Sequence, residues 1–169
     1  MNGNKWTMNN ISLRNIFFNL LLFLLAYYLG FTFIAASLDK IVDPFEFSKS
    51  ILNYEIMPYW TINLISIILP WVEFICGVFI IFCFFSSIKN TKNCSYFDAS
   101  NNIIILMLLW FIFILAVAHI RGLDIDCGCG FGEKTLPLDR LKEDIYLLIS
   151  AFIIKFRHKI SNILLGSNF

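Results

Sequence analysis

From Ile16 to Ser37 the chain carries no Asp, Glu, Lys or Arg, and the same holds from Asn102 to Ile120. Between Ile56 and Ile88 the sole charge is Glu73. A helix of about 20 apolar residues crosses roughly 30 Å of hydrocarbon, so each of these runs can span a bilayer. Ile145 to Ile154 opens a fourth run, but a short one. A stretch of that length is commoner in a buried or interfacial helix. It spans only if Asp144 and Lys155 sit at the two interfaces and snorkel. Composition agrees with the runs: 59% of residues are hydrophobic and 15% charged, beyond the apolar share of a soluble domain.

The expected fold is therefore an all-α membrane protein. It is a four-transmembrane-helix bundle with an extracytoplasmic Cys-Gly-Cys loop between the third and fourth helices. The membrane domain covers 16–160, with spans near 16–38, 66–88, 102–120 and 139–157. Residues 1–15 form a cytoplasmic N-terminus and 161–169 a cytoplasmic tail. Ala35-Ala36-Ser37 resembles a signal-peptide cleavage site. The apolar stretch before it exceeds the roughly 7–15 residues of a signal h-region, so a retained span is expected.

Orientation follows from the placement of Lys and Arg. With four spans both termini share a side, which carries Lys5, Arg14, Lys89, Lys92, Lys155, Arg157 and Lys159. The other side carries Lys40, Lys49, Arg121, Lys134, Arg140 and Lys142, among many more acids. The basic counts are close. Placement decides, because Lys89 and Lys92 crowd a short loop and Lys155 to Lys159 abut the last span. Both termini are thus expected in the cytoplasm of a bacterial host, with the protein in its inner membrane. A formal net charge of +1 offers no field for a nucleic-acid partner. The lipid bilayer is the partner that composition implies.

The run Asp126-Cys127-Gly128-Cys129-Gly130-Phe131-Gly132 falls on the outer side. Thiols there meet an oxidising environment, where disulfides persist. Alpha carbons two residues apart can approach the roughly 4.4–6.8 Å that a disulfide needs. Gly128 between the thiols, with Gly130 and Gly132 after them, permits backbone conformations closed to other residues. So small a ring should be strained, and strained disulfides exchange readily. A loop this short also gains little entropic stability from a crosslink. Redox thiols are the favoured reading, ahead of a structural disulfide or inert turn. A metal site ranks last, because His119 and the nearby carboxylates match thiolate-preferring ions poorly. Cys76 and Cys83 lie about 10 Å apart along one helix and read as packing residues. Cys94 reads as an incidental reduced thiol.

Glu73 and Lys40 form a second constellation. A carboxylate within a span is expensive and by default faces the bundle, paired or protonated. Lys40, just past the outer end of the first span, is its natural partner, with Asp39 and Arg121 as competitors. The plain reading is an ion pair clamping two helices, and it is slightly favoured. The functional one is a site for a proton or a quinone headgroup beneath the thiols. His119 could act as a base for thiolate formation, although a polar residue at a helix end is the commoner role. Asp43-Pro44-Phe45-Glu46-Phe47 starts a segment suited to a helix lying in the interface. Tyr54, Tyr59, Trp60 and Trp71 would form an outer aromatic belt. Pro137-Leu138-Asp139 is a good start for the last helix.

The order of Gly30, Lys40, Asp43-Pro44-Phe45, Tyr54, Pro58, Pro70-Trp71-Val72-Glu73, Gly77 and Asp126-Cys127-Gly128-Cys129 resembles the methylamine-utilisation MauE family, within the DoxX-like membrane proteins. The resemblance runs from about Gly30 to the last helix. It implies a four-helix bundle in the inner membrane, associated with redox maturation of periplasmic proteins, including disulfide formation in the methylamine dehydrogenase small subunit. Thioredoxin-like proteins are the implied neighbours. One departure is visible: the family usually reads Cys-Gly-Cys-Phe-Gly, and here Gly130 stands before Phe131.

The expected function is thiol–disulfide exchange between Cys127/Cys129 and the dithiol of a periplasmic thioredoxin-like protein or substrate. Glu73, Lys40, His119, Gly128 and Arg121 are in supporting positions. No cofactor is certain from the residues, and a quinone is the candidate. The alternative is a non-enzymatic subunit that scaffolds or assembles a partner complex, with Cys127 and Cys129 structural.

Overall fold

The computed structural model describes residues 3–54, 56–89, 95–122, 137–157 and 159–160. Five helices make up the described residues: α1 (Gly3–Val42), α2 (Pro44–Asn53), α3 (Tyr59–Lys89), α4 (Ser95–Ile120) and α5 (Pro137–Lys155). No strand occurs among them. Three stretches are long and apolar enough to cross a membrane: Ile16–Val42, Tyr59–Phe84 and Tyr96–Ile120. The helices overrun the expected spans. α3 starts at Tyr59, directly after Pro58, and α4 starts at Ser95. α5 is not among the three, because Asp139, Arg140, Lys142, Glu143 and Asp144 crowd its first turns.

The four long helices run antiparallel in chain order. Along the α1–α3 seam, Phe23 meets Phe84, Gly30 meets Gly77 and Lys40 meets Glu73, one number rising as the other falls. Phe84 in turn meets the Phe97 ring of α4 at a tilt of 50°. Between α4 and α5, Asn101 Nδ2 donates to the Ala151 carbonyl at 3.1 Å and Arg157 pairs with Asp98 at 2.7 Å. Leu29, Ile80, Ile104, Leu108 and Ile154 are fully enclosed and form the shared core. Leu24, Phe31, Ile67, Phe82 and Leu106 point outward, the arrangement expected where lipid is the solvent.

The closest approach is at Gly30 and Gly77. A β-carbon on Gly77 would lie 2.8 Å from the Gly30 carbonyl oxygen, and one on Gly30 would lie 2.6 Å from Ile81 Cγ1. Small residues let helix backbones touch, and in lipid such close packing replaces the hydrophobic drive.

α2 is set off from α1 by Asp43 alone. The Asp43 side chain accepts the Glu46 N–H at 3.0 Å, and Pro44 takes the first helical position, where no N–H is needed. Phe47 is its buried anchor. Tyr54 departs from the expected aromatic belt. It caps α2 and is buried against Leu115 and Ala118 of α4, whereas Tyr59 and Trp60 do point outward. A phenol on an apolar ring fits an interface or a core equally well, and the turn after α2 carries this one inward.

Candidate functional site

Lys40 stands on the last turn of α1 and Glu73 midway along α3, one turn past Pro70 and one turn before Gly77. Because the two helices touch at Gly30 and Gly77, their side chains meet beyond the crossing. Lys40 Nζ donates to Glu73 Oε1 at 2.7 Å and Oε2 at 2.8 Å. Both side chains are enclosed, at 4% and 2% exposure. The Phe47 and Phe111 rings approach the ammonium at 5.2 and 5.4 Å, and a ring face attracts a cation at that range. Pro70 has no N–H for the carbonyl of Ser66, so the ladder of α3 is interrupted one turn from the carboxylate.

Beside the pair lies a cavity of about 110 Å³ to which all five helices contribute. Its walls are mainly apolar and include Phe33, Phe47, Leu69, Leu108, Trp110 and Phe111. Four charged residues line it: Lys40, Glu73, Arg140 and Asp144. The last two come from α5, and with Leu147 they mark the i, i+4, i+7 face that the helix turns inward. Arg140 also reaches Glu143 Oε2 at 2.7 Å. The hydroxyls of Thr32 and Ser50 donate to carbonyls of their own helices, Tyr28 and Glu46. A polar hollow on the far side of Lys40 is lined by Asp39, Asp43, Glu46 and Lys49.

The structure thus brings together two of the residues singled out in the sequence, Lys40 and Glu73. His119 and Arg121 stand apart from them. They are exposed at the end of α4, which closes where Gly122 adopts φ +66 and its N–H bonds the His119 carbonyl at 3.0 Å. Cys127, Gly128 and Cys129 lie outside the described residues, as does Cys94. Cys76 and Cys83 are buried in the core of α3. Among the described residues, no three His, Cys, Asp or Glu side chains are grouped to hold a metal ion.

Two site residues were missed in the sequence. Asp144 entered only as a residue that must snorkel at an interface if the fourth run is to span, and it is buried on the cavity wall. Arg140 was counted only among the basic residues of the outer side. The signal that finds them is the inward i, i+4, i+7 spacing, which the neighbouring charges at 139, 142 and 143 conceal.

These features define a helical membrane protein with a buried ion pair beside an apolar cavity. The family described as methylamine utilisation protein MauE matches residues 18–156, and the chain belongs to that family. The matched range includes the ion pair, both cavity-lining charges of α5 and the Cys127-Gly128-Cys129 run. No curated protein and no solved structure shows a significant match.

Proposed function

We propose that this protein is a thiol–disulfide redox protein of the bacterial inner membrane that supports disulfide formation or maturation of periplasmic proteins. Cys127 and Cys129 are the exchanging pair. The observation that carries this reading is the Cys127-Gly128-Cys129 run inside the stretch matched by the MauE family. The family's description ties its members to methylamine utilisation, so the partner class includes a protein of that system.

The exchange balances without another reagent. A thiolate of the partner attacks one sulfur of the Cys127–Cys129 disulfide and forms a mixed disulfide. The partner's second thiolate then displaces it, leaving the partner oxidised and the pair reduced by two electrons and two protons. The Cys127-Gly128-Cys129 run lies in sequence between the end of α4 and the start of α5, and the placement of Lys and Arg along the chain favours the periplasm for it.

Acid quenching in cells followed by alkylation tests this. Cys127→Ser or Cys129→Ser should accumulate a mixed disulfide with a partner protein, released by reductant. A single fixed redox state in the wild type, with no capture by either variant, would sink the exchange reading. The second reading, a scaffolding subunit, is favoured by the enclosure of the Lys40–Glu73 pair, which suits a clamp. It expects the double cysteine variant to support maturation as well as the wild type.

A further inference from the structure

The outward side of α5, at the end that pairs with Asp98, carries a pattern that thiol exchange does not use. We propose that it binds an anionic phospholipid, whose phosphate sits between Lys155 and Lys159 and whose acyl chain runs along Phe152 and Phe156.

Spacing comes first. Residues 152, 155, 156 and 159 stand at i, i+3, i+4 and i+7, which is one face of a helix. Helical bonding carries that face beyond Lys155. The Phe156 N–H donates to the Phe152 carbonyl and the Ile160 N–H to the Phe156 carbonyl, both at 3.0 Å. The face turns away from the bundle: Ala151 and Ile154 are enclosed in the core, whereas Phe152, Lys155, Phe156 and Lys159 are exposed. The two rings lie nearly parallel, 8° apart with centroids at 6.4 Å. Lys159 Nζ stands 5.7 Å from the centre of the Phe156 ring.

Charge then selects the head. From Ile145 to Phe169 the sequence has no Asp or Glu. Asp98 of α4 reaches across to Arg157 at 2.7 Å and neutralises it. Among the described residues Lys155 and Lys159 have no carboxylate partner, so two positive charges remain on the face. They are one turn apart, close enough for a single phosphate to accept from both ammoniums. A zwitterionic head brings a cation of its own and gains little there, so a net negative head is preferred.

Depth selects a lipid over a soluble anion. Counted along the helix from Arg157, Phe152 lies about 7.5 Å toward the middle of the bundle and Lys155 about 3 Å in the same direction, with Lys159 about 3 Å the other way. The lysine stems carry their ammoniums to the headgroup level while the rings stay beside hydrocarbon. A free phosphate would use the lysines and leave the aromatic pair without a partner.

Binding here is independent of the cysteine chemistry. Purified protein in phosphatidylcholine nanodiscs is doped with sub-saturating phosphatidylglycerol carrying a photoreactive diazirine on one acyl chain, and the labelled peptides are mapped. Label should concentrate on the peptide of Phe152 and Phe156, and unlabelled phosphatidylglycerol should compete for it where phosphatidylcholine does not. A lysine near an anionic headgroup contributes about fivefold in affinity, so Lys155→Gln and Lys159→Gln should each lower the labelling about fivefold and the double variant about 25-fold. Lys155→Arg with Lys159→Arg should keep it. So should Lys49→Gln on α2, and so should Cys127→Ser with Cys129→Ser, whatever becomes of thiol exchange. The lysines are exposed, and all these variants should retain the helical circular dichroism. Equal labelling by the diazirine analogue of phosphatidylcholine would overturn the proposal. Undiminished labelling of the double glutamine variant would do the same. Displacement of the label by inorganic phosphate alone would overturn the lipid as occupant.

Discussion

Glu73 has two carboxylate oxygens, and the Lys40 ammonium reaches both of them within 2.8 Å in a place neither bulk water nor lipid headgroups occupy. Removing charges from water is expensive, and their attraction offsets this only while both partners remain. Lys40→Met leaves the carboxylate enclosed without its partner and should destabilise the fold by about 3–5 kcal/mol. Lys40→Met with Glu73→Leu replaces the pair by apolar groups and should recover most of that loss. Denaturant unfolding of the purified protein compares them. A single variant as stable as the wild type would mean the pair does not clamp the helices. Gly77 is a residue-scale constraint of another kind. Its missing β-carbon would meet a backbone oxygen at 2.8 Å, which no rotamer change relieves. Gly77→Ala should cost about 1–3 kcal/mol by overpacking, read by the same unfolding measurement.

Among the elements, α2 shows how local chemistry sets a boundary. One residue separates it from α1, and that residue both ends the first helix and caps the second. Asp43→Ala removes the acceptor for the Glu46 N–H and should weaken α2 by about 1 kcal/mol, with faster amide exchange across 44–53 and α1 unchanged. Equal protection in both proteins would show the cap to be redundant. The same element marks what sequence can reveal. Asp43-Pro44 announces a helix start from chemistry contained in two residues, and the uncharged runs announce α1, α3 and α4 because lipid tolerates few charges. Glu73 calls for a cation, and Lys40 lies at matching depth, so their meeting was legible too. Tyr54 was not, since whether a tyrosine points into a core depends on the turn that carries it. Arg140 and Asp144 were hidden because five charges in six residues look like a solvated face. Their place on the cavity wall appears only once α5 is laid against α1 and α4. The cavity needs all five helices and has no signature in any one of them.

At the scale of the whole molecule, the open matter is whether α5 crosses the membrane with the others. Its first turns carry Asp139, Arg140, Lys142, Glu143 and Asp144, too many charges for a span judged on composition. Packing argues otherwise. Leu141 contacts the cluster of Leu115 and Ala118 near one end of α4, and Arg157 pairs with Asp98 near the other. The sixteen steps from Leu141 to Arg157 cover about 24 Å at about 1.5 Å each, most of a hydrocarbon core. Beside an α4 that crosses, a crossing α5 is the expected outcome. Its early charges would then gather at one end of the bundle, where Arg140 and Asp144 line the cavity and Lys142 pairs with Asp139 on the surface. Arg157 and Asp98 anchor the opposite end. A reporter active only outside the cytoplasm should give signal when fused after Gly122 and none when fused after Asn168. Signal at both positions would leave α5 lying on the outer surface, where the Asp98–Arg157 contact could not form.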